Sequence, residues 1–499
     1  MNYENPVIRG FNPDPSICRV GEDYYLATST FEYFPAISIY HSRDLINWRQ
    51  IGSAVDRTGQ LDMSAAHPSG GVWAPTIRYY EGTFYLTATF SERGNFIIMA
   101  ERPEGPWSDP VWVGMDGLDP SMYFEDGKMY YCANDCGERY KQYGCEGVSV
   151  AVVNPVTGRL ESEITRVWSG TGGGFLEAPH IYRIGEWYYI FTAEGGTNYN
   201  HFQTVGRSRT LLGTYEPFGG RPLLTNRHDT AKKIQCTGHA DLVEDKDGGW
   251  WLVHLGTRRA LFDYGSLGRE TFLTPVEWRD GWPYVMTDGK AVPENPAPAG
   301  VAQIRGNHFE ADFTSPRWEC EWLRIKNPAE ENYSRKDGVL TLKPSKAKVT
   351  EDGASPSFAA VRQGDFESHI RTEVVFEPME AGDEAGVIVY LCPDISYRMA
   401  KRRGRDGDFL VVEKKAFDFE QTVYAEKCPN GRLTMEINST KEGYVFSCNG
   451  KRLAAASGKF ISTDLAGKCF TGTLLGIYAQ CERDTEARAQ FYGFLAEAR

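Results

Sequence analysis

The 499-residue sequence has no apolar run approaching the roughly 20 residues needed to span a bilayer, so membrane insertion by helices is not expected. It has no basic tract, and its net charge is −13, which argues against nucleic acid and anionic membrane as partners. The opening residues, MNYENPVIRGFNPDPS, show neither a charged leader region nor an apolar one. The eleven cysteines are odd in number and scattered, which suits reduced thiols better than a disulfide framework, and the expected location is cytoplasmic. Cys132, Cys136 and Cys145 are the nearest approach to a metal cluster, and their spacing matches no zinc pattern. Gly172 to Gly174 resemble a phosphate loop only superficially, because no Lys-Ser/Thr follows; a flexible loop is expected there.

Helical periodicity is nearly absent from the first 290 residues, whereas aromatic residues make up 13% of the chain. Within the first 260 residues one phrase occurs five times: DPSICRVGEDYYL, APTIRYYEGTFYL, DPSMYFEDGKMYY, APHIYRIGEWYYI and HADLVEDKDGGWWL. Each is a loop, an apolar strand, a glycine turn and a strand of paired aromatics. The glycines, Gly21, Gly82, Gly127, Gly185 and Gly248, mark a long period built from β-branched and aromatic strands, the sequence mark of a β-propeller. Asp14, Trp73, Asp119, Glu177 and His239 lie seven to nine residues before these glycines, so all five are expected at equivalent places around a central axis.

The chain is long for one core. After a five-bladed propeller over 1–290, the proline-bearing stretch 291–308 reads as an ordered linker. Residues 309–499 then show short alternating strands without the repeated phrase, among them DGVLTLKP, SHIRTEVVFEP, AGVIVYLCP and LLGIYAQ. Roughly ten strands at even spacing predict a β-sandwich, giving an all-β chain of two domains.

Three carboxylates, a tryptophan and a histidine around one pore suit glycosidic-bond hydrolysis, which requires an acid for the leaving oxygen and a base or nucleophile on the opposite face. Glu177 lies between Phe175, Leu176 and Ala178, an apolar setting expected to raise its pKa as a general acid requires. Asp14, in NPDPS beside an expected solvated turn, should stay ionised and act as base.

NPDPS, GVWAP, LDPS, LEAPHIY, TAEGGT, GHADLVE and LGRET together resemble glycoside hydrolase family 43, in particular its two-domain β-xylosidase and α-L-arabinofuranosidase branch, over nearly the whole chain. The resemblance implies a five-bladed propeller with a concanavalin- or laminin-G-like β-sandwich, and inversion at the anomeric centre. It implies Asp14 as base, Glu177 as acid, and Asp119 as a third carboxylate that holds the acid and raises its pKa by repulsion. It also implies Phe31 and Trp73 as an aromatic wall, Thr197 as a polar contact and Arg269 as a donor to sugar hydroxyls. His239 would hold Asp14 or a water, or a structural Ca²⁺ as in some relatives; no cofactor is otherwise required. Phe470 in CFTGTLLG would reach the pocket rim from the sandwich, and Tyr33, where close xylosidases carry tryptophan, would stand near the substrate mouth.

The expected substrate is a short oligosaccharide, shortened from its end by an exo-acting xylosidase or arabinofuranosidase. A homo-oligomer is compatible with the sequence. The readings of another kind are a non-catalytic sugar-binding propeller, which should lack one of the three carboxylates, and a retaining fructan hydrolase, whose Asn-Asp-Pro motif is Pro13-Asp14-Pro15 here.

Overall fold

The computed structural model of the protein describes residues 1–135, 147–219, 221–260, 264–298, 300–304, 306–428, 430–467 and 469–498. Cys136 and Cys145 lie outside the described residues, and Cys132 is a buried free thiol. Residues 16–285 form five four-stranded antiparallel sheets, covering 16–55, 72–112, 121–168, 177–217 and 234–285. The innermost strands are Ser16–Val20, Val72–Tyr80, Ser121–Glu125, Glu177–Ile184 and Ile234–Glu244. Each touches the next, and the fifth touches the first, so the sheets close into a ring of five blades. The five glycines of the repeat all take φ between 61° and 86°. Around Gly21, Gly82, Gly127 and Gly185 there is open space for a side chain, so these turns need glycine for its backbone freedom.

Among the described residues no strand is shared between the first and last blades; the residues before blade one form a clasp instead, pairing with blade five and the stretch after it. Asn2–Glu4 pairs with Glu294–Pro296, and Ile8 bridges to Thr271. Asn5 donates to the Leu273 carbonyl (2.8 Å) and accepts from the Leu273 N–H (2.9 Å). The stretch 291–308 therefore contributes a strand to this clasp.

The ring's axis is filled by polar side chains from four blades. Asp241 of blade five is fully buried and takes both terminal nitrogens of Arg78 of blade two, at 2.8 and 3.1 Å. Arg78 also meets His180 Nδ1 of blade four at 3.0 Å, and Ser16 of blade one donates to Asp241 at 2.6 Å. Tyr182 donates its hydroxyl to the same carboxylate. Burial alone would raise the Asp241 pKa, but the Arg78 charge and these donors hold it well below the usual range.

Residues 307–498 build the sandwich from an eight-stranded and a six-stranded antiparallel sheet, more strands than the sequence pattern suggests. Its core, including Trp322, Val387, Met399, Ile437 and Phe491, lies between the sheets. The outer face of the six-stranded sheet packs directly on the propeller: Phe358, Tyr390, Leu474 and Tyr478 share a cluster with Phe11, Phe31 and Tyr33. Tyr33–Phe34 pairs with Arg324–Ile325 across the junction. Tyr33 is thus fully buried between the domains rather than at the substrate mouth, because its strand is recruited into this pairing.

Replacing Asp241 by Asn should leave Arg78 buried without a counter-charge, at a cost of about 3–5 kcal/mol. Because the folded pKa of Asp241 is depressed, its contribution should be present above the unfolded aspartate value of about 4 and lost as pH falls toward the folded value. Urea unfolding at pH 7 should show the loss, and the Arg78→Met/Asp241→Leu double variant should recover much of it. A single-variant loss below about 1 kcal/mol would contradict the arrangement.

Candidate active site

One backbone device aims the site. Asp14, Ala74, Asp119, Ala178 and His239 all adopt left-handed conformations, with φ of 55°, 44°, 51°, 51° and 52°. In three blades the strand register shifts across this residue, between Trp73 and Thr76, Glu177 and His180, and Gly238 and Asp241. A bulge of this kind bends the strand and re-aims side chains, at a cost on the order of 1–3 kcal/mol per strained residue. The equivalent positions are therefore Asp14, Ala74, Asp119, Ala178 and His239. Trp73 and Glu177 sit one residue earlier, a difference that counting back from the glycines does not resolve.

The bulges open onto one cavity of about 580 Å³, lined by Asp14, Asp119, Glu177, Phe31, Trp73, Thr197, His239, Arg269 and Phe470. All nine residues that the sequence nominates are brought together. Asp14 is buried, not solvated: Oδ1 takes Arg269 Nη1 at 2.9 Å, and Oδ2 takes the Ser29 hydroxyl at 2.6 Å. Burial would raise its pKa, but Arg269 and these contacts outweigh burial and hold it below the ordinary aspartate range. His239 Nδ1 stands 3.6 Å from Asp14 and 4.0 Å from Asp119. Burial lowers the His239 pKa, so near neutrality the ring is uncharged and the permanent cation beside Asp14 is Arg269.

Glu177 is pushed up to about 7, by burial first and by the Asp14 charge second. Asp119 is raised well above its usual value by burial, then by the charges of Glu177 and Asp14, even though the Ala178 N–H donates to it. Asp119 and Glu177 thus repel each other, as expected, and Asp14 repels both. Of the apolar neighbours of Glu177, Leu176 and Ala178 are buried but Phe175 is 41% exposed. The glycine-rich loop before it is anchored: the N–H groups of Thr171 and Gly173 each donate to Glu194 at 2.8 Å. A protein carboxylate already occupies the donors that would cradle a phosphate.

The aromatic wall is assembled across the domain junction. Phe31 lies 5.9 Å from Phe470 and 6.5 Å from Trp73 between ring centroids. The Arg269 guanidinium sits over Phe31 at 5.3 Å and over Phe470 at 5.6 Å, and donates to Thr197 Oγ1 (3.1 Å) and to the Phe470 carbonyl (3.1 Å). Phe470 is held in place because Thr463 and Thr473 bond to Gly265 and Ser266, and Gly268 and Gly472 approach too closely for a Cβ on either. Ser69, which no sequence motif singles out, joins both sides: its carbonyl accepts from Trp73 Nε1 (3.0 Å), and its hydroxyl accepts from the Phe470 N–H (2.9 Å). Ser29 is a second such residue, bridging Asp14 to the Ala74 N–H. Isolated serines in loops carry no periodic signal that could have marked them.

The surroundings of His239 do not fit calcium, which takes six to eight oxygen ligands. Among the described residues no group of three or more His, Cys, Asp or Glu side chains is placed to hold a metal ion. Of the acidic groups around the axis, Asp14 and Asp241 are already matched by the guanidinium groups of Arg269 and Arg78.

Comparison with known proteins agrees with this architecture. The family profile described as glycosyl hydrolases family 43 matches residues 3–283, and that of the beta xylosidase C-terminal concanavalin A-like domain matches 310–496. A non-reducing end alpha-L-arabinofuranosidase of Bacteroides ovatus is 39% identical over 96% of this chain and 91% of its own. A beta-xylosidase of Bacillus subtilis is 32% identical over 99% of both. The crystal structure of a xylan beta-1,4-xylosidase from Bacillus halodurans superposes with a TM-score of 0.93 at 30% identity, covering 99% of this chain and 100% of that one.

An ionised Asp14 beside a protonated Glu177 defines a pH window for activity. The rate constant kcat/KM should fall as pH rises through about 7, where Glu177 loses its proton, and at the acid end only below the ordinary aspartate range. Arg269→Met removes the cation that lowers both groups, so both limbs should move to higher pH, with kcat/KM falling by about 10- to 100-fold. Limbs that stay in place would contradict the electrostatic role given to Arg269.

Proposed function

The chain belongs to glycosyl hydrolase family 43 and is a glycosidase, and from that premise we propose an exo-acting, inverting enzyme that releases terminal β-D-xylose from short xylo-oligosaccharides. The observation that carries the reading is the pairing of one buried carboxylate held ionised, Asp14, with another held protonated, Glu177, in a single cavity. In the proposed mechanism Asp14 draws the proton from a water molecule as that water attacks the anomeric carbon. Glu177 protonates the departing oxygen on the opposite face. Asp119 fixes the acid's surroundings by accepting from the Ala178 N–H, and its own raised pKa keeps a further charge out of the centre. Arg269 and Thr197 orient sugar hydroxyls, while Phe31, Trp73 and Phe470 pack on the apolar face of the ring.

Exo action is supported by the closure of the cavity, since Phe470 and the sandwich segment around it wall off one side of the propeller mouth. The second reading, α-L-arabinofuranosidase, is favoured by the name of the Bacteroides ovatus relative, 39% identical. A pocket for one pentose can offer similar hydroxyl contacts to a xylopyranose and an arabinofuranose. A cytoplasmic site of action is supported by the nine described cysteines, all free thiols.

Aryl β-D-xyloside and aryl α-L-arabinofuranoside should be assayed side by side, together with xylohexaose. The xylosidase reading expects the higher kcat/KM on the xyloside and only monosaccharide from xylohexaose. A higher value on the arabinofuranoside would transfer the proposal to the second reading, and internal cleavage would overturn exo action. Asp14→Ala should lower the rate by about 10²–10⁴-fold on every substrate, because the water loses its base. Glu177→Ala should lose far more on xylobiose than on an aryl glycoside, whose leaving group scarcely needs the proton. Equal losses on the two substrates would remove Glu177 from the role of acid.

A further inference from the structure

The cavity has two unlike sides. Phe31 is almost fully buried, and it packs with Trp73 and Phe470 against Arg269. On the blade-four side two aromatic residues also line the cavity but remain open: Phe175 is 41% exposed and Tyr199 46% exposed. Both are carried by loops flanking Glu177. Phe175 lies two residues before it, and Tyr199 lies between the strands Trp187–Glu194 and Phe202–Ser208.

Neither residue sits on a loose segment. The Phe175 loop is pinned by Glu194 at Thr171 and Gly173, and the Gly195 N–H ties the second loop to the Gly174 carbonyl at 2.8 Å. A Cβ on Gly196 would stand 3.5 Å from the Phe175 ring, so the glycine forms a flat bed beside it. The Arg259 guanidinium lies over the Tyr199 ring at 4.4 Å and is fixed in turn by Asp464 of the sandwich at 2.5 Å. Ordered aromatic surface held open at the mouth of a cavity, next to the acid, is what a ligand ring would cover.

We propose that Phe175 and Tyr199 form the subsite for the leaving group, and that this subsite takes a neutral pyranosyl unit. The inference rests on the glycosidase reading of Glu177 as the acid. An acid must stand beside the departing oxygen, so the leaving sugar lies on the Glu177 side, where the open aromatics are, and the terminal sugar takes the closed side. Stacking on aromatic rings uses the C–H faces of a pyranose. Neutrality follows from charge: the two arginines that line the cavity, Arg259 and Arg269, are already matched by Asp464 and Asp14, which leaves an anionic sugar without a counter-charge there.

The test compares xylobiose, whose leaving group is a pyranose, with β-D-xylosyl fluoride, whose leaving group has no ring. In the full-length Phe175→Ala/Tyr199→Ala variant, the ratio of kcat/KM for xylobiose to that for the fluoride should fall by about tenfold or more. Phe175→Tyr/Tyr199→Phe, which keeps both rings, should hold the wild-type ratio. An unchanged ratio in the alanine variant would overturn the subsite while leaving the glycosidase reading intact. A wild-type protein that turned over neither substrate would overturn the xylosidase reading and the subsite with it.

Discussion

Among the described residues, the axis of the propeller holds four buried or half-buried carboxylates, Asp14, Asp119, Glu177 and Asp241, and two permanent cations bonded to them, Arg78 and Arg269. Burial makes an unpaired charge costly, so the imbalance decides which groups ionise. Asp241 is matched by Arg78 and Asp14 by Arg269, and both are held below the ordinary range. Asp119 and Glu177 have no cation of their own and are pushed upward. The histidines cannot make good the difference, because burial lowers His180, His201 and His239 alike. A protonated acid beside an ionised base is thus a consequence of charge balance in a low-dielectric channel.

The same constraint ties stability to function. The Arg78–Asp241 pair closes the ring beneath the cavity, while Arg269 both steadies Asp14 and bonds to the sandwich through the Phe470 carbonyl. The second domain is accordingly part of the site: it supplies Phe470 to the aromatic wall and Asp464 to the rim, and it covers apolar propeller surface at Phe11, Phe31 and Tyr33. The five left-handed residues store local strain that this packing sustains, as expected where backbone is bent to aim functional side chains.

Much of this was legible in the sequence, because a propeller repeats its signal. The glycine turns and paired aromatics recur in each blade, and the motifs around Asp14, Asp119 and Glu177 led to residues that share one cavity. Register within the repeat was less legible, since the bulge places Trp73 and Glu177 one residue before the true equivalents. Charge states were read in part. Glu177 is raised as its apolar neighbours suggest, but Asp14 is ionised through Arg269, 255 residues away in sequence, and not through solvent. The sandwich was under-counted because strands such as Ile395–Gly404 and Gly407–Ala416 carry Arg398, Arg402 and Glu413, whose buried ion pairs disguise the apolar alternation. Ser29, Ser69 and Tyr199 carry no local pattern; only the fold brings the serines against Asp14 and Phe470 and the tyrosine to the cavity.

The central claim is that Asp14, held ionised by Arg269, acts as a base on water and not as a nucleophile on the sugar. Proton NMR of the first sugar released from an aryl β-D-xyloside, recorded before mutarotation, tests it most directly. The account expects α-xylose as the first product, since water attacks opposite the leaving group in a single displacement. β-Xylose as the first product would mean a covalent glycosyl-enzyme, and it would contradict the role assigned to Asp14.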